Sequence, residues 1–242
     1  MRKRFKAFCL ISLFCLLIPV QAIGSRPVDT IIVGCVIHGM LFDVGDSLPV
    51  KKVYMITVVP PLNLTPYEGK KIRVQGKLSP ADRFQPDLEK GIEMLGACEQ
   101  ETLAVIRQEL PQAYRTRAEE MAENHDWSNA WKYINKAIKL DSSDCSLYLT
   151  RAKFYTTQEK FAEAAVDAQR AVQHGCDRYP DWALLAELLE KLGKKSAAID
   201  AYAKAVGVCG YKPDRDKFLQ KIEQLGGSIN NIPLGKDGGK EF

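Results

Sequence analysis

Histidine is scarce in this chain, with three in 242 residues. His38, His125 and His174 are scattered, none lies in an HExxH run, and GxSxG is absent. Hydrolase or metalloprotease chemistry therefore finds no nucleophile and base to work with. Cysteine never occurs as CxxC, and no Cys/His cluster has zinc-ligand spacing, which argues against a metal or redox-exchange site. "LGKKS", Leu192 to Ser196, resembles the end of a phosphate-binding loop but lacks the earlier glycine, so it reads as a turn. No catalysis, cofactor or metal is expected. "NLT" at Asn63 matches a glycosylation sequon, which has meaning only in a eukaryotic secretory path. Long apolar runs are missing beyond the start of the chain, so no later segment is expected to span a membrane.

The start is different. Arg2, Lys3, Arg4 and Lys6 precede the 14 apolar residues "AFCLISLFCLLIPV", and "VQA" supplies a small-x-small ending. This is the pattern of a signal peptide over residues 1–22, cleaved after Ala22. An uncleaved anchor is the competing reading, but the run falls short of the ~20 residues that cross a bilayer. The expected location is periplasmic or secreted, in a bacterial envelope.

Of 34 Lys and Arg residues, four would leave with the signal, and 34 − 4 = 30 then balances 30 Asp and Glu. A neutral chain has no general attraction for nucleic acid, and none is expected as a partner. Five cysteines remain: Cys35, Cys98, Cys145, Cys176 and Cys209. An oxidising compartment favours their pairing, and the odd number leaves one over.

Composition changes near residue 99. Before it, "TIIVGCVIHGMLF", "KVYMITVV", "KKIRVQGKL" and "IEMLGAC" read as four short strands separated by turn-rich segments. Ile72, Val74 and Leu78 share one face with Gly76, and Lys71, Arg73, Gln75 and Lys77 share the other. Gly76 would let a strongly coiled sheet bend. Four such strands suggest a small antiparallel barrel or sandwich, and a β-barrel over 23–98 is expected. The glycine-interrupted strand after "PYEGKK" resembles the OB-like barrels of exported bacterial proteins. That resemblance implies an anionic or saccharide ligand on the basic face, with Lys71, Arg73 and Lys77 as contacts. A merely solvated sheet face is the alternative.

Beyond residue 99 alanine rises and the period becomes helical. "SNAWKYINKAIKL", "FAEAAVDAQRAVQHG" and "KSAAIDAYAKAVGV" are one helix written three times. Ala130, Ala164 and Ala198 are 34 residues apart, as are Ala137, Ala171 and Ala205, and Ala118, Ala152 and Ala186. Tyr114, Tyr148 and Trp182 keep the same step.

This array resembles the tetratricopeptide repeats, whose period is 34 residues. The repeats run 111–144, 145–178 and 179–212, with a capping helix over 213–227, a linker helix over 99–110 and a tail without structure over 228–242. The fold class is α+β with segregated halves: an OB-like barrel, then an all-α solenoid of three helix pairs. Counted from Pro111, Cys145 and Tyr179, the alanines fall at positions eight, twenty and twenty-seven, where the family's small residues let paired helices approach closely. The leucine expected at position seven is Arg117 and Arg151 in two repeats, and the proline expected at thirty-two is Ser142, Cys176 and Gly210.

By family position, the concave face would carry Arg115, Glu119 and Glu123 from the first repeat, and Leu149, Lys153, Thr156 and Thr157 from the second. The third adds Ala183, Glu187, Glu190 and Lys191. The two-carboxylate clamp that some members use for chaperone tails is absent: Glu119, Thr150, Pro180 and Leu184 stand where it needs lysine, asparagine and arginine. The resemblance implies a non-catalytic adaptor that holds a protein or peptide.

Cys35 and Cys98 lie near the start and at the end of the barrel segment, in apolar strands, and a bond between them is expected. For the other three, Cys145 with Cys176 and Cys176 with Cys209 both remain open, since helix spacing near ~10 Å strains either link.

Overall fold

The computed structural model describes residues 27–45, 53–79, 83–230 and 232–234. The signal segment and its cleavage site lie outside the described residues.

Six strands form the first half: β1 Val28–Ile37, β2 Met40–Asp43, β3 Tyr54–Val58, β4 Lys70–Ser79, β5 Arg83–Pro86 and β6 Ile92–Ala97. β1 pairs with β2 and β4, β2 with β3, β3 with β5 and β5 with β4, which closes a five-stranded ring. The barrel is not wholly antiparallel, because the closing β3–β5 pair runs parallel. β5 and β6 both run antiparallel to β4, with Pro86 opposite Gly76 and Ile92 opposite Val74. They are two lengths of one strand, interrupted by residues 87–91.

The interior is filled by Ile32, Val36, Leu41, Ile56, Ile72, Val74 and Phe84. Gly76 has a stricter reason than sheet curvature. A Cβ there would stand 2.2 Å from the carbonyl oxygen of Gln85 on β5, so only glycine permits this strand approach. His38 and Gly39 join β1 to β2 with φ of 54° and 71°, the pair of positive values that a two-residue hairpin turn needs.

Seven helices follow: α1 Gln100–Glu123, α2 Trp127–Leu140, α3 Cys145–Thr157, α4 Phe161–Gln173, α5 Tyr179–Lys191, α6 Lys195–Val208 and α7 Lys212–Gln224. α1 replaces the expected linker helix and first repeat helix with one 24-residue helix, continuous through Pro111. The turns within the three pairs repeat as closely as the sequence does. His125, Glu159 and Gly193, each 34 residues from the next, have φ of 60°, 58° and 70°. Only the third is glycine, and it lies in the "LGKKS" turn.

All nine seam alanines, Ala118, Ala130, Ala137, Ala152, Ala164, Ala171, Ala186, Ala198 and Ala205, are fully buried. With no side chain beyond Cβ, they let the helix axes come together. Ala164→Leu is expected to destabilise the second and third pairs by about 1–3 kcal/mol through overpacking. Ala164 belongs to the hydrophobic cluster of α3 to α7, separate from the barrel interior, so strand signals in an NMR spectrum should persist. A variant that melts like the parent would refute the seam argument.

The sulfurs of Cys35 and Cys98 are bonded, tying β1 to the residue pair before α1, with Cα atoms 6.0 Å apart. Cys145 bonds to Cys176 across 5.6 Å between Cα atoms. This link avoids the interhelical spacing because Cys145 opens α3 and Cys176 lies in the turn beyond α4, at adjacent ends of one repeat. Among the described residues Cys209 is the free cysteine, and it is buried. Of the tail segment, only 228–230 and 232–234 are described, and there Ile229 and Ile232 pack against the α3–α7 cluster.

Candidate partner-binding groove and the barrel beside it

Helix α1 serves three surfaces. Ala118 and Met121 face α2, while Gln112 and Glu119 reach α3: Gln112 bonds the carboxylate of Asp144, and Thr150 donates to Glu119 across 2.9 Å. The third face lies under the barrel. Ile106, Leu110 and Ala113 share one core with Cys35, Met40, Phe42, Val44 and Val53. Thr57 on β3 donates to Glu120, which also pairs with Arg117 at 2.9 Å. Arg117 thus departs from the family's leucine because its neighbours belong to a junction with another domain.

Met40 and Phe42 project from the outer face of β2, opposite to Leu41 and Ile56 inside the barrel. In OB-type barrels the outer face of strands 2 and 3 is where oligonucleotides and saccharides bind. Here the protein's own helix covers that face. The barrel therefore caps the first helix pair, as α7 caps the last, and repeat arrays need such closure.

The three barrel cations stand elsewhere, on β4. Lys71 pairs with Glu99 at 3.5 Å and Arg73 with Glu93 at 2.8 Å. Lys77 is exposed and lies opposite Asp29 of β1. Two of the three are thus matched by carboxylates of the same protein.

The expected concave residues fall into three groups. At the barrel end, Arg115 pairs with Glu119 at 3.0 Å, and Glu119 also accepts from Thr150, while Glu123 is exposed. At the far end, Glu190 accepts from Tyr202 at 2.8 Å and pairs with Lys221 of α7 at 3.0 Å. Lys191 lies over the Phe161 ring, 4.8 Å from its centroid. In the middle, Lys153 and Glu187 are exposed and form no ion pair among the described residues. Thr156 and Thr157 donate back to the carbonyls of Ala152 and Lys153. Leu149 differs from the rest: it is buried in a cluster with Tyr148, Ala171 and Cys176, against which Leu184 of α5 packs, so it sits between helices and not on an open groove. Sequence reasoning missed Lys221, although it continues the 34-residue step beyond Glu187.

The Lys221 hydrogen bond holds the Glu190 carboxyl below its ordinary range, opposed by partial burial, and burial together with Glu190 pushes the Tyr202 hydroxyl up. Since the folded value of Glu190 is depressed, its contribution is present above the ordinary glutamate pKa and is lost as pH falls through the folded value. Acid titration followed by helix circular dichroism should show α7 loosening below about pH 4.3. Glu190→Gln should flatten that acid limb, and an unchanged limb would remove Glu190 from the account.

The second repeat holds its own buried ion pair. Arg151, at position seven, donates to Asp167 of α4 twice, at 2.6 and 2.9 Å, and to Asn135 of α2 at 2.9 Å.

The described helices form three pairs at a 34-residue step and a closing helix, an arrangement similar to a tetratricopeptide-repeat array, headed by a five-stranded barrel of OB-like strand order. No family model matches the chain. It is 31% identical over 111 residues to Protein unc-45 homolog B of Xenopus laevis, covering 44% of this chain and 12% of that protein. It is 32% identical over 68 residues to Stress-induced-phosphoprotein 1 of Caenorhabditis elegans, covering 28% and 21%. The chain thus spans about a fifth or less of the curated relatives it matches. Among solved structures it is similar to the N-terminal domain of stress-induced protein-1 from C. elegans, with 21% identity, a TM-score of 0.43 and coverage of 50% of this chain and 97% of that one. It is also similar to the first TPR of Spaghetti (RPAP3) bound to the HSP90 peptide SRMEEVD, with 16% identity, a TM-score of 0.42 and coverage of 49% and 94%.

Among the described residues no helix is long and apolar enough to cross a membrane, and no group of three or more potential ligands gathers to hold a metal ion.

Proposed function

We propose that this protein is an exported, non-catalytic adaptor that holds an extended segment of a partner protein across α1, α3, α5 and α7. One observation carries the reading: Glu119, Lys153, Glu187 and Lys221 recur at a 34-residue step on the alternate helices α1, α3, α5 and α7, at the repeat position assigned to the concave face, and the central two are exposed and unpaired among the described residues. Glu119 and Lys221 bond to neighbouring helices, whereas Lys153 and Glu187 form no ion pair among the described residues that would tie one helix to another. The relatives' peptide complexes fit a binding role, but an acid-tailed chaperone peptide does not suit this groove. Glu119 stands where the clamp needs a cation-rich or amide environment, and Lys153 has acidic neighbours on both sides.

Export is supported by the basic and apolar start of the chain and by two disulfides among the described residues, which persist in oxidising compartments. A barrel ligand is less well supported, because α1 covers the outer face of β2 and Glu99 and Glu93 take up Lys71 and Arg73.

A photo-crosslinking residue placed at Lys153 should capture one partner in the native compartment, and the same residue at Val166, exposed on α4 outside the groove, should not. Capture from position 166 alone, or equally from both, would overturn the groove reading.

A further inference from the structure

The charges along the groove alternate in sign: Glu119, Lys153, Glu187 and Lys221, one from each helix. The outer two are already engaged, Glu119 by Arg115 and Thr150 and Lys221 by Glu190. Lys153 and Glu187 are the two that remain, and no ion pair joins them. Their helices border one shared cluster, in which Leu149 of α3 is buried and against which Leu184 of α5 packs. Packed helix axes stand roughly 8–10 Å apart. An extended chain advances about 3.3 Å per residue, so it crosses from one helix to the next in roughly three residues.

From this geometry we infer that the groove reads a segment of mixed charge, in which an acidic side chain that meets Lys153 is followed or preceded, about three residues away, by a basic side chain that meets Glu187. The inference rests on the groove reading and adds the chemistry of its occupant. A segment with two acidic groups gains at Lys153 and loses at Glu187, and one with two basic groups does the reverse. Peptide polarity is not fixed by this pair, because a chain laid in either direction can present both charges.

The test uses the full chain and twelve-residue peptides of one Ser/Leu host sequence, read by fluorescence anisotropy at low salt. One peptide carries Glu and Lys three residues apart, one carries them adjacent, one carries two Glu at the wider spacing and one carries two Lys. Exposed pairs contribute little each, so the expected preference for the widely spaced Glu/Lys peptide is roughly ten-fold over either like-charged one, shrinking in high salt. Lys153→Glu should transfer the preference to the Lys/Lys peptide, and Glu187→Lys to the Glu/Glu peptide. Both positions are exposed, so neither variant should disturb folding, and matching circular dichroism spectra check this. If the parent binds peptides but the variants leave the ranking unchanged, the charge inference fails and the groove reading stands. If no peptide of the set binds and a crosslinker at position 153 captures nothing, both fail.

Discussion

Phe42→Ala should destabilise the barrel and the first helix pair together, by about 3–5 kcal/mol, the usual range for emptying a buried aromatic site. Phe42 is fully buried, and its ring is not inside the barrel but beneath α1, in the cluster that continues through Ala113 and Tyr114 to Ile134 of α2. Trp127 and Trp131 pack against that same cluster. In a Trp182→Phe background, urea unfolding followed by tryptophan emission would therefore report the first pair alone. The expected result is a lower midpoint in that emission and an equal shift in barrel resonances. Tryptophan emission that holds its parental midpoint while the barrel melts would show two independent units, and the barrel would lose its role as a cap.

Asp167→Ala is expected to cost about 3 kcal/mol, near the lower end for breaking a buried ion pair. The lower end applies because the Arg151 side chain retains 15% of its exposure and its bond to Asn135, whereas that of Asp167 retains only 3%. A guanidinium left beside an apolar seam is the source of the loss. Adding Arg151→Leu should recover most of it, since leucine is what the repeat pattern places at position seven and buried pairs often yield to apolar side chains without cost. Chemical denaturation of both variants decides the matter. A double variant as unstable as the single one would mean that the pair matters through packing and not through charge.

The helical half was legible because its signal is a repeat: nine alanines in step cannot be read as anything but a seam, and each proved fully buried. The strand half was legible only in part. β5 escaped notice because Arg83–Pro86 is short, carries a proline and becomes a strand only through its partners on β3 and β4. The β1–β2 hairpin was hidden inside one apolar run, since nothing in "VIHGML" announces a turn except two residues that accept positive φ. That same run held a clue to the covered face. Val33, Cys35 and Val36 are buried on both sides of β1, whereas β4 alternates apolar with charged residues. A strand apolar on both faces must be covered on both faces. Which element covers it is a matter of tertiary packing, and no local pattern in α1 announced it. The charged residues at position seven were visible as departures, but their partners, Glu120 and Asp167, emerge only when helices and strands are brought together.

The two disulfides give the chain an unusual response to pulling. A tethered solenoid normally surrenders its length pair by pair, each helix hairpin peeling from its neighbour. Between Cys145 and Cys176 the 31-residue separation is shunted by a covalent bond, so the applied force bypasses α3 and α4. Roughly 100 Å of contour, at ~3.3–3.6 Å per residue, is withheld from extension. Cys35 and Cys98 shunt a separation of 63 residues in the same way, withholding about twice as much. Stretched from its ends, the oxidised protein would lengthen through the first and third pairs and the cap, while the barrel and the middle repeat travel as locked loops. Adding a reductant would release both lengths, and the rupture trace would then gain two steps whose sizes stand near two to one.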